Sequence, residues 1–430
     1  MMKSNFKIQS RLMYRNSSTV LLRTFMNKPS LVYEQFYFHT DSSTRESDGN
    51  LHPPRITQFF SCYSSAQFAI PTTHVHKPKW IQVPQLLQSC NYVLESEIKV
   101  PQQIPIEIVK QVHDHTYVDK FLNGTITHKE MKRWGFESGW NEFVRNRVLH
   151  TIGATVKATR DAVFHNYSRR ASNLAGGGHH AFHEKGGGYC IWNDIVLAGQ
   201  YLINSGLCIN GRRYLVIDLD VHQGDGTARL ARDLHEGKSF TFSMHCKHNF
   251  PKHKEKSDWD IELENGMRDE QYLKILEKSL FTLEQEFKGK IDCIFYQSGV
   301  DVLEGDRLGL LCLSPAGVLR RDRMVAEFAE RMAQYDQKFI KSRDPQHTNV
   351  QAQETVPIVS MMGGGYIRSE NGNPLERVAQ AHAETVNTLR NHWVLNQNAK
   401  SQFILPHQTA IQNERTGRWR QEMDARPQVY

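Results

Sequence analysis

The stretch Asp218-Leu219-Asp220-Val221-His222 closes the apolar run Tyr214-Leu215-Val216-Ile217 and leads into Gln223-Gly224-Asp225-Gly226-Thr227. On an extended strand alternate side chains share a face, so Asp218, Asp220 and His222 converge there as two carboxylates and an imidazole, half of a metal site. A solvated edge strand or a turn would carry the same letters. What favours chemistry is the apolar run before them and the glycine-rich bend after, because open α/β sheets present their reactive groups where buried strands end. A second cluster, Gly176-Gly177-Gly178-His179-His180, is followed by Lys185-Gly186-Gly187-Gly188-Tyr189-Cys190. Paired imidazoles between triple glycines offer a general base and a general acid at one place, with backbone able to approach a ligand.

Two later apolar runs end in the same manner, at Gln297-Ser298-Gly299-Val300-Asp301 and at Met362-Gly363-Gly364-Gly365-Tyr366. Alone, Asp301 reads equally as a helix cap and Tyr366 as a half-buried core residue. Their common placement after strands argues for one shared site.

Taken in order, Gly-Gly-Gly-His179-His180, Asp218-Leu-Asp220-Val-His222-Gln-Gly-Asp225-Gly, Gly299-Val-Asp301 and Gly-Gly-Gly-Tyr366 resemble the motifs of the zinc-dependent histone deacetylase superfamily. The likeness is greatest to its class IV-like, bacterial and plant-type branch, with Leu122-Asn123-Gly124-Thr125 and Gly305-Asp306-Arg307-Leu308-Gly309 in support, and it spans roughly residues 65–395. It implies zinc ligands at Asp220, His222 and Asp301, leaving positions open for water and substrate. It implies His180 as general base with His179 beside it, Asp225 and Asp218 as their carboxylate partners favouring the imidazolium form, and the Tyr366 phenol polarising the acyl carbonyl. Gly188, Tyr189 and Phe250 match the acyl-lysine channel, although Phe250 in Asn249-Phe250-Pro251 could equally be a plain loop anchor. The family's potassium ion would use Asp218, Asp220 and His222 with Ser243 and Met244.

Departures from the pattern are Gly178, Tyr189 and Asp225, where relatives more often carry a larger residue, Phe and Asn respectively. Leu308 stands where polyamine-selective relatives carry a carboxylate, so an acyl-lysine protein or peptide is the expected substrate. The resemblance thus implies a zinc-dependent protein lysine deacetylase or deacylase, with chromatin regulation among its family's roles. A related amidohydrolase acting on a small N-acyl compound would use the same residues. A noncatalytic acyl-lysine scaffold is the class-level alternative, and an arginase-type ureohydrolase would need more carboxylates than appear.

The elements that must position these residues alternate. Apolar runs near 214, 242, 293 and 358 read as strands, separated by helical patterns over Asn141–His165, Glu270–Lys288 and Ser314–Gln337. That alternation predicts a three-layer α/β/α fold with a central, mainly parallel sheet. The core is expected to begin near Phe68, with His74 and His76 in a rim loop. Lys341–Glu354 reads as a polar insertion, and residues 396–430 as a polar C-terminal tail. His245, Cys246, His248 and His253 fit no standard zinc module and read as a solvated basic loop.

Of 430 residues, 39% are hydrophobic and 23% charged, ordinary for a globular protein. The formal charge of +7 forms no basic stripe with interleaved aromatics, so no direct nucleic-acid binding is expected, and no run suggests a membrane span. The 7 cysteines are scattered without a Cys-x-x-Cys, as in a reducing compartment. Residues 1–33 hold Lys3, Lys7, Arg11, Arg15, Arg23 and Lys28 without an acidic residue, which resembles a mitochondrial presequence. A disordered basic leader on a nuclear or cytoplasmic protein is the alternative, and residues 34–64 read as a polar linker. Oligomeric state and acyl length are not legible.

Overall fold

The computed structural model describes residues 60–68, 79–166, 168–343, 355–366 and 374–400. The leader at 1–33, His74 and His76, most of the polar insertion and the tail beyond 400 lie outside the described residues. In chain order the main elements are β1 (Ser61–Tyr63), α1 (Lys79–Ser89), β2 (Ile98–Lys99), α2 (Ile106–Val109), α3 (His115–Leu122), α4 (His128–Arg133), α5 (Glu142–Arg160), β3 (Arg170–Asn173) and α6 (Asp194–Asn204). Then follow β4 (Arg213–Asp218), α7 (Asp225–Leu234), β5 (Ser239–Cys246), β6 (Trp259–Leu263), α8 (Asp269–Phe287), β7 (Ile291–Gln297), α9 (Pro315–Arg343), β8 (Ile358–Met361) and α10 (Pro374–Lys400). The described strands form one 8-stranded sheet in the order β2-β1-β3-β8-β7-β4-β5-β6, and every pairing is parallel.

A parallel sheet must be covered on both faces, and the side-chain alternation of the central strands does this. Tyr214, Val216, Cys293, Phe295, Val359 and Met361 face a core that includes α5 and α6. Their sequence neighbours Leu215, Ile217, Ile294, Tyr296 and Ile358 face the opposite core, built with α8 and α9. A smaller cluster joins α1 to α10 around Phe60, Val83, Leu87 and Ala383. The fold is the three-layer α/β/α arrangement that the alternation of runs predicts.

Several boundaries differ from expectation. The first strand is Ser61–Tyr63, inside the segment that composition marks as a linker, rather than a strand near Phe68. Ser61 is fully buried but satisfied, its hydroxyl donating to Asp161 at 2.8 Å, while Tyr63 reaches the same carboxylate at 2.9 Å and Lys99 at 2.6 Å. Strand β4 stops at Asp218, so Asp220 and His222 stand on the loop beyond it rather than on the strand. His245 and Cys246 are not in a solvated loop: both are buried at the end of β5. Helix α9 runs to Arg343, into the expected insertion, and α10 runs past 395 to Lys400. Helix α5 begins where expected, with the Asn141 carboxamide capping Val144 N at 2.9 Å.

The core also buries neutral histidines. At the end of α7, His235 accepts from the Tyr214 hydroxyl at Nδ1 (2.7 Å), and Nε2 meets Gln200 Oε1 at 2.9 Å. Both bonds suit the neutral ring with its proton on Nε2. Burial, then the nearby Lys238 charge, lowers His235 to about 4, and burial lowers His113 to about 3. Between an unfolded value of about 6.5 and these folded values, the unfolded chain binds protons that the native state does not, so stability falls as pH falls. In urea titrations at a series of pH values, unfolding free energy is expected to drop below about pH 6.5. In His235→Gln the drop should be shallower by up to about 1.4 kcal/mol per pH unit. An unchanged slope in the variant would contradict the neutral assignment.

Candidate active site

The chemistry-bearing residues sit on loops that leave the carboxyl ends of β3, β4, β7 and β8. Parallel strands put all these ends at one edge of the sheet, where ligands bind in open α/β folds. Asp218 is the last residue of β4; its Oδ1 accepts from Asp220 N at 3.1 Å and its Oδ2 from His179 Nδ1 at 2.8 Å. Asp220 Oδ1 accepts from His222 N at 3.0 Å, and Asp220 Oδ2 from Gly364 N at 2.9 Å. Asp301 Oδ1 accepts from Val221 N at 3.0 Å. The loops after β4, β7 and β8 are thus stitched together through the carboxylates themselves.

One ligand atom from each of Asp220, His222 and Asp301 lies within 4.8 Å of the others, and all three residues are buried. His222 Nδ1 is 3.1 Å from Asp220 Oδ1 and 3.2 Å from Asp301 Oδ2. Burial lowers the His222 imidazole, but bonds to Asp220 and Asp301 outweigh it and hold the ring at about 11. A proton is therefore retained at the centre of two carboxylates, and that demand for positive charge is what a divalent cation would meet. Asp301 is raised to about 6 by burial and by repulsion from Asp220, and its buried Oδ2 lacks a hydrogen bond of good geometry. The residues fit a three-ligand metal site. Glycines make the approach feasible: a Cβ on Gly299 would stand 2.1 Å from Asp220 Oδ2, and one on Gly364 1.9 Å from Asp301 Oδ2.

The two histidines differ in charge state. For His179, burial pulls the ring down, but the Asp218 and Asp220 carboxylates outweigh it and hold it at about 9. His180 donates from Nδ1 to Asp225 Oδ1 at 2.7 Å, yet burial and then the neighbouring His179 charge lower it to about 4. The expectation that both carboxylates favour imidazolium is thus corrected for His180. One carboxylate cannot offset complete burial together with an adjacent cation, the ring centroids being 4.0 Å apart. His180 stands as a neutral ring with Nε2 left for a proton, next to an imidazolium that persists through neutral pH.

Above the pair, Phe250 packs edge-on to His180 with centroids 4.9 Å apart, and Tyr189 lies 5.8 Å from Tyr366. Tyr189 and Phe250 are about half exposed, as walls of an opening should be. Gly188 has φ +49°, and a Cβ there would stand 2.2 Å from His180 Cδ2, so the turn beneath Tyr189 requires glycine. Leu308 joins this rim: its carbonyl accepts from Asn249 Nδ2 at 2.7 Å, tying it to the Phe250 loop. Tyr366 N donates to Asp306 Oδ2 at 2.5 Å, while burial, then Asp301 and Asp220, push its phenol far up, so it stays a hydrogen-bond donor. Ser243 pairs in register with Asp218 on the neighbouring strand, and the buried Met244 follows it.

Sequence reasoning missed several supporting groups. Asp194 accepts from Gly177 N (3.0 Å), Gly178 N (2.6 Å) and Thr155 Oγ1 (2.5 Å), fixing the glycine turn before His179. Lys79, at the start of α1, donates to Gly363 O at 2.6 Å and stands 5.3 Å from the Tyr366 ring; burial lowers it to about 8. Asp306 also accepts from Leu308 N and Gly309 N. Asp194 carried a signal, as a carboxylate at the start of an apolar helix after a glycine loop, and Asp306 stood inside the motif at residues 305–309, whereas Lys79 carried none.

Similarity to known proteins bears on the family and the fold. The family model described as histone deacetylase domain matches residues 74–341. An uncharacterized protein of Picosynechococcus is 38% identical over 261 residues, covering 60% of this chain and 83% of the relative. Histone deacetylase 2 of Arabidopsis thaliana is 26% identical over 319 residues, 72% of this chain and 74% of its own. Among solved structures, a histone deacetylase homolog from Aquifex aeolicus superposes with a TM-score of 0.56 at 20% identity, covering 78% of this chain and 84% of that one.

The close fit at Gly364 gives a direct test of the carboxylate geometry. Gly364→Ala is expected to stay folded with about 1–3 kcal/mol lost to overpacking, and to lower affinity for a divalent metal by roughly 10-fold or more because Asp301 must turn away. Circular dichroism melts and metal analysis after dialysis check this. A variant holding as much metal as wild type would refute the placement of Asp301.

Proposed function

The chain belongs to the histone deacetylase domain family, a family of deacetylase hydrolases, and from that premise we propose that it hydrolyses the amide of acyl-lysine in a protein or peptide, with zinc as its metal. The observation that carries this reading is a neutral His180 beside a cationic His179, both next to the Asp220, His222 and Asp301 cluster. Those three residues would hold a zinc ion, which when bound would supply Lewis acidity to water and to the acyl carbonyl.

The remaining steps belong to side chains. His180, its Nδ1–H directed at Asp225, accepts at Nε2 the proton of the attacking water and later delivers it to the departing lysine amine. His179, charged and fixed by Asp218, keeps positive potential beside the oxygen on which negative charge develops. The Tyr366 hydroxyl donates to that same oxygen, and its strongly raised pKa keeps the proton available. Hydrolysis by activated water is favoured over a thiol nucleophile, because burial pushes the nearby Cys190 well above the range in which a thiolate forms.

The rim supports this choice of substrate class. Tyr189 and Phe250 present half-exposed rings, and the position tied to the Phe250 loop is Leu308 rather than a carboxylate for a second ammonium, which suits the apolar stem of an acyl-lysine better than a polyamine. Asp218, Asp220 and His222 are proposed to hold a potassium ion with the backbone of Ser243 and Met244, Ser243 standing in register with Asp218 across β4 and β5.

Turnover of lysine peptides carrying acetyl, medium and long acyl groups, with acetylpolyamine alongside, tests the proposal on zinc-loaded wild type and His222→Ala. Wild type is expected to cleave a peptide substrate and His222→Ala to be inactive. Tyr366→Phe should lose about 10²–10³-fold in kcat with KM little changed, as for removal of one oxyanion donor. Cleavage of none of these substrates by zinc-replete wild type would refute the reading, and cleavage of acetylpolyamine alone would move it to small N-acyl compounds.

A further inference from the structure

Arg321, on α9, is fully buried directly beneath the site and takes part in none of the steps above. Its guanidinium is not spent on an ordinary ion pair alone. Nε donates to Asp322 Oδ1 at 2.9 Å, whereas Nη1 donates to Gly299 O at 2.7 Å and Leu219 O at 3.3 Å, with Nη2 3.4 Å from Ser298 O. These carbonyls lie on two chain segments, the loop after β4 and the loop after β7.

Their place in those loops is informative. Leu219 O belongs to the peptide whose nitrogen is that of Asp220, and that nitrogen donates to Asp218 Oδ1 at 3.1 Å. Gly299 O belongs to the peptide whose nitrogen is that of Val300, and that nitrogen donates to Gly364 O at 2.9 Å. Each peptide is therefore held from above by the site and from below by Arg321. One carries Asp220 and the other leads directly into Asp301. A planar fork can span two acceptors at a fixed separation, which an ammonium on a flexible stem does not do. The counter-charge is fixed as well: Asp322 accepts from the Tyr296 hydroxyl at 2.5 Å and from Thr385 Oγ1 at 2.6 Å, linking β7 and α10 to the same pair.

We propose that Arg321 is a positioning residue that sets the spacing of the Asp220 and Asp301 carboxylates, and through it the affinity of their site for a metal ion. The inference rests on the metal-site reading of Asp220, His222 and Asp301. It differs from a purely structural role in one respect, that metal affinity and fold stability must separate.

The test compares full-length wild type, Arg321→Lys, the charge-neutral pair Arg321→Gln/Asp322→Asn, and Thr385→Val. The last removes a bond to Asp322 without touching the two carbonyls. Zinc dissociation constants are measured by competition with a chromophoric chelator, and Tm is measured on the zinc-free proteins. Arg321→Lys and the neutral pair should bind zinc about 10–100-fold more weakly, the range seen when outer supports of a metal site are removed. Thr385→Val should melt lower yet bind zinc as wild type does. The neutral pair keeps the test available should the lysine variant not fold, because it leaves no unpaired buried charge. Arg321 variants that melt lower but bind zinc as tightly as wild type would overturn the inference. Wild type that binds no zinc would overturn the metal-site reading beneath it.

Discussion

Asp218, Asp220 and Asp301 are buried within one small volume at the ends of adjacent parallel strands, and the rest of the structure is organised by that constraint. Like charges so close and so dry cannot coexist without positive charge between them. The chain supplies it from several directions: His179 against Asp218, His222 between Asp220 and Asp301, and backbone N–H groups of Asp220, Val221, His222 and Gly364 on the carboxylate oxygens. Both imidazoles are held well above the ordinary histidine range by these carboxylates despite their burial. A site with this field suits a divalent metal ion, with the His179 and His180 pair beside it.

The same field explains the asymmetry of the histidine pair. His179 lies next to two carboxylates and becomes a cation; His180, one residue on, faces only Asp225 and sees that cation as a neighbour. Asp225 opens α7 and orients the His180 ring through its bond to Nδ1. Two adjacent residues of one type thereby acquire opposite pKa shifts from their surroundings alone, the pattern that acid and base chemistry at one pH would require.

Much of this was legible before any coordinates. Buried parallel strands must be apolar on both faces, so Tyr214–Ile217 and Cys293–Tyr296 stand out, and the polar groups that follow them can only be at strand ends. Three of the four site segments are therefore local in sequence, each attached to an apolar strand, whereas the strand before His179 is the polar run Arg170–Asn173, which carries no such signal. What was not legible depends on distant partners. Ser61–Tyr63 is too short and polar to read as a strand, because its serine is satisfied by Asp161, one hundred positions away. His245 and Cys246 look like a loop among lysines and histidines, yet β5 carries them inward, where His245 Nδ1 and the Ser243 hydroxyl share a hydrogen bond of 2.9 Å. Nothing in the sequence singles out Arg321 or Lys79. Only the packing of α9 and α1 against the sheet turns them toward the carbonyls of the site. The charge state of His180 also escaped, since it is set by burial and by His179 rather than by the carboxylate it touches.

The most direct test of the split charge state is heteronuclear NMR of the imidazole nitrogens in zinc-free protein near neutral pH, with His179→Gln and His180→Gln used for assignment. The His179 ring should show both nitrogens protonated. The His180 ring should be neutral, with its proton on Nδ1. Two neutral rings, or a charged His180, would contradict the assignment of base and cation on which the proposed hydrolysis rests.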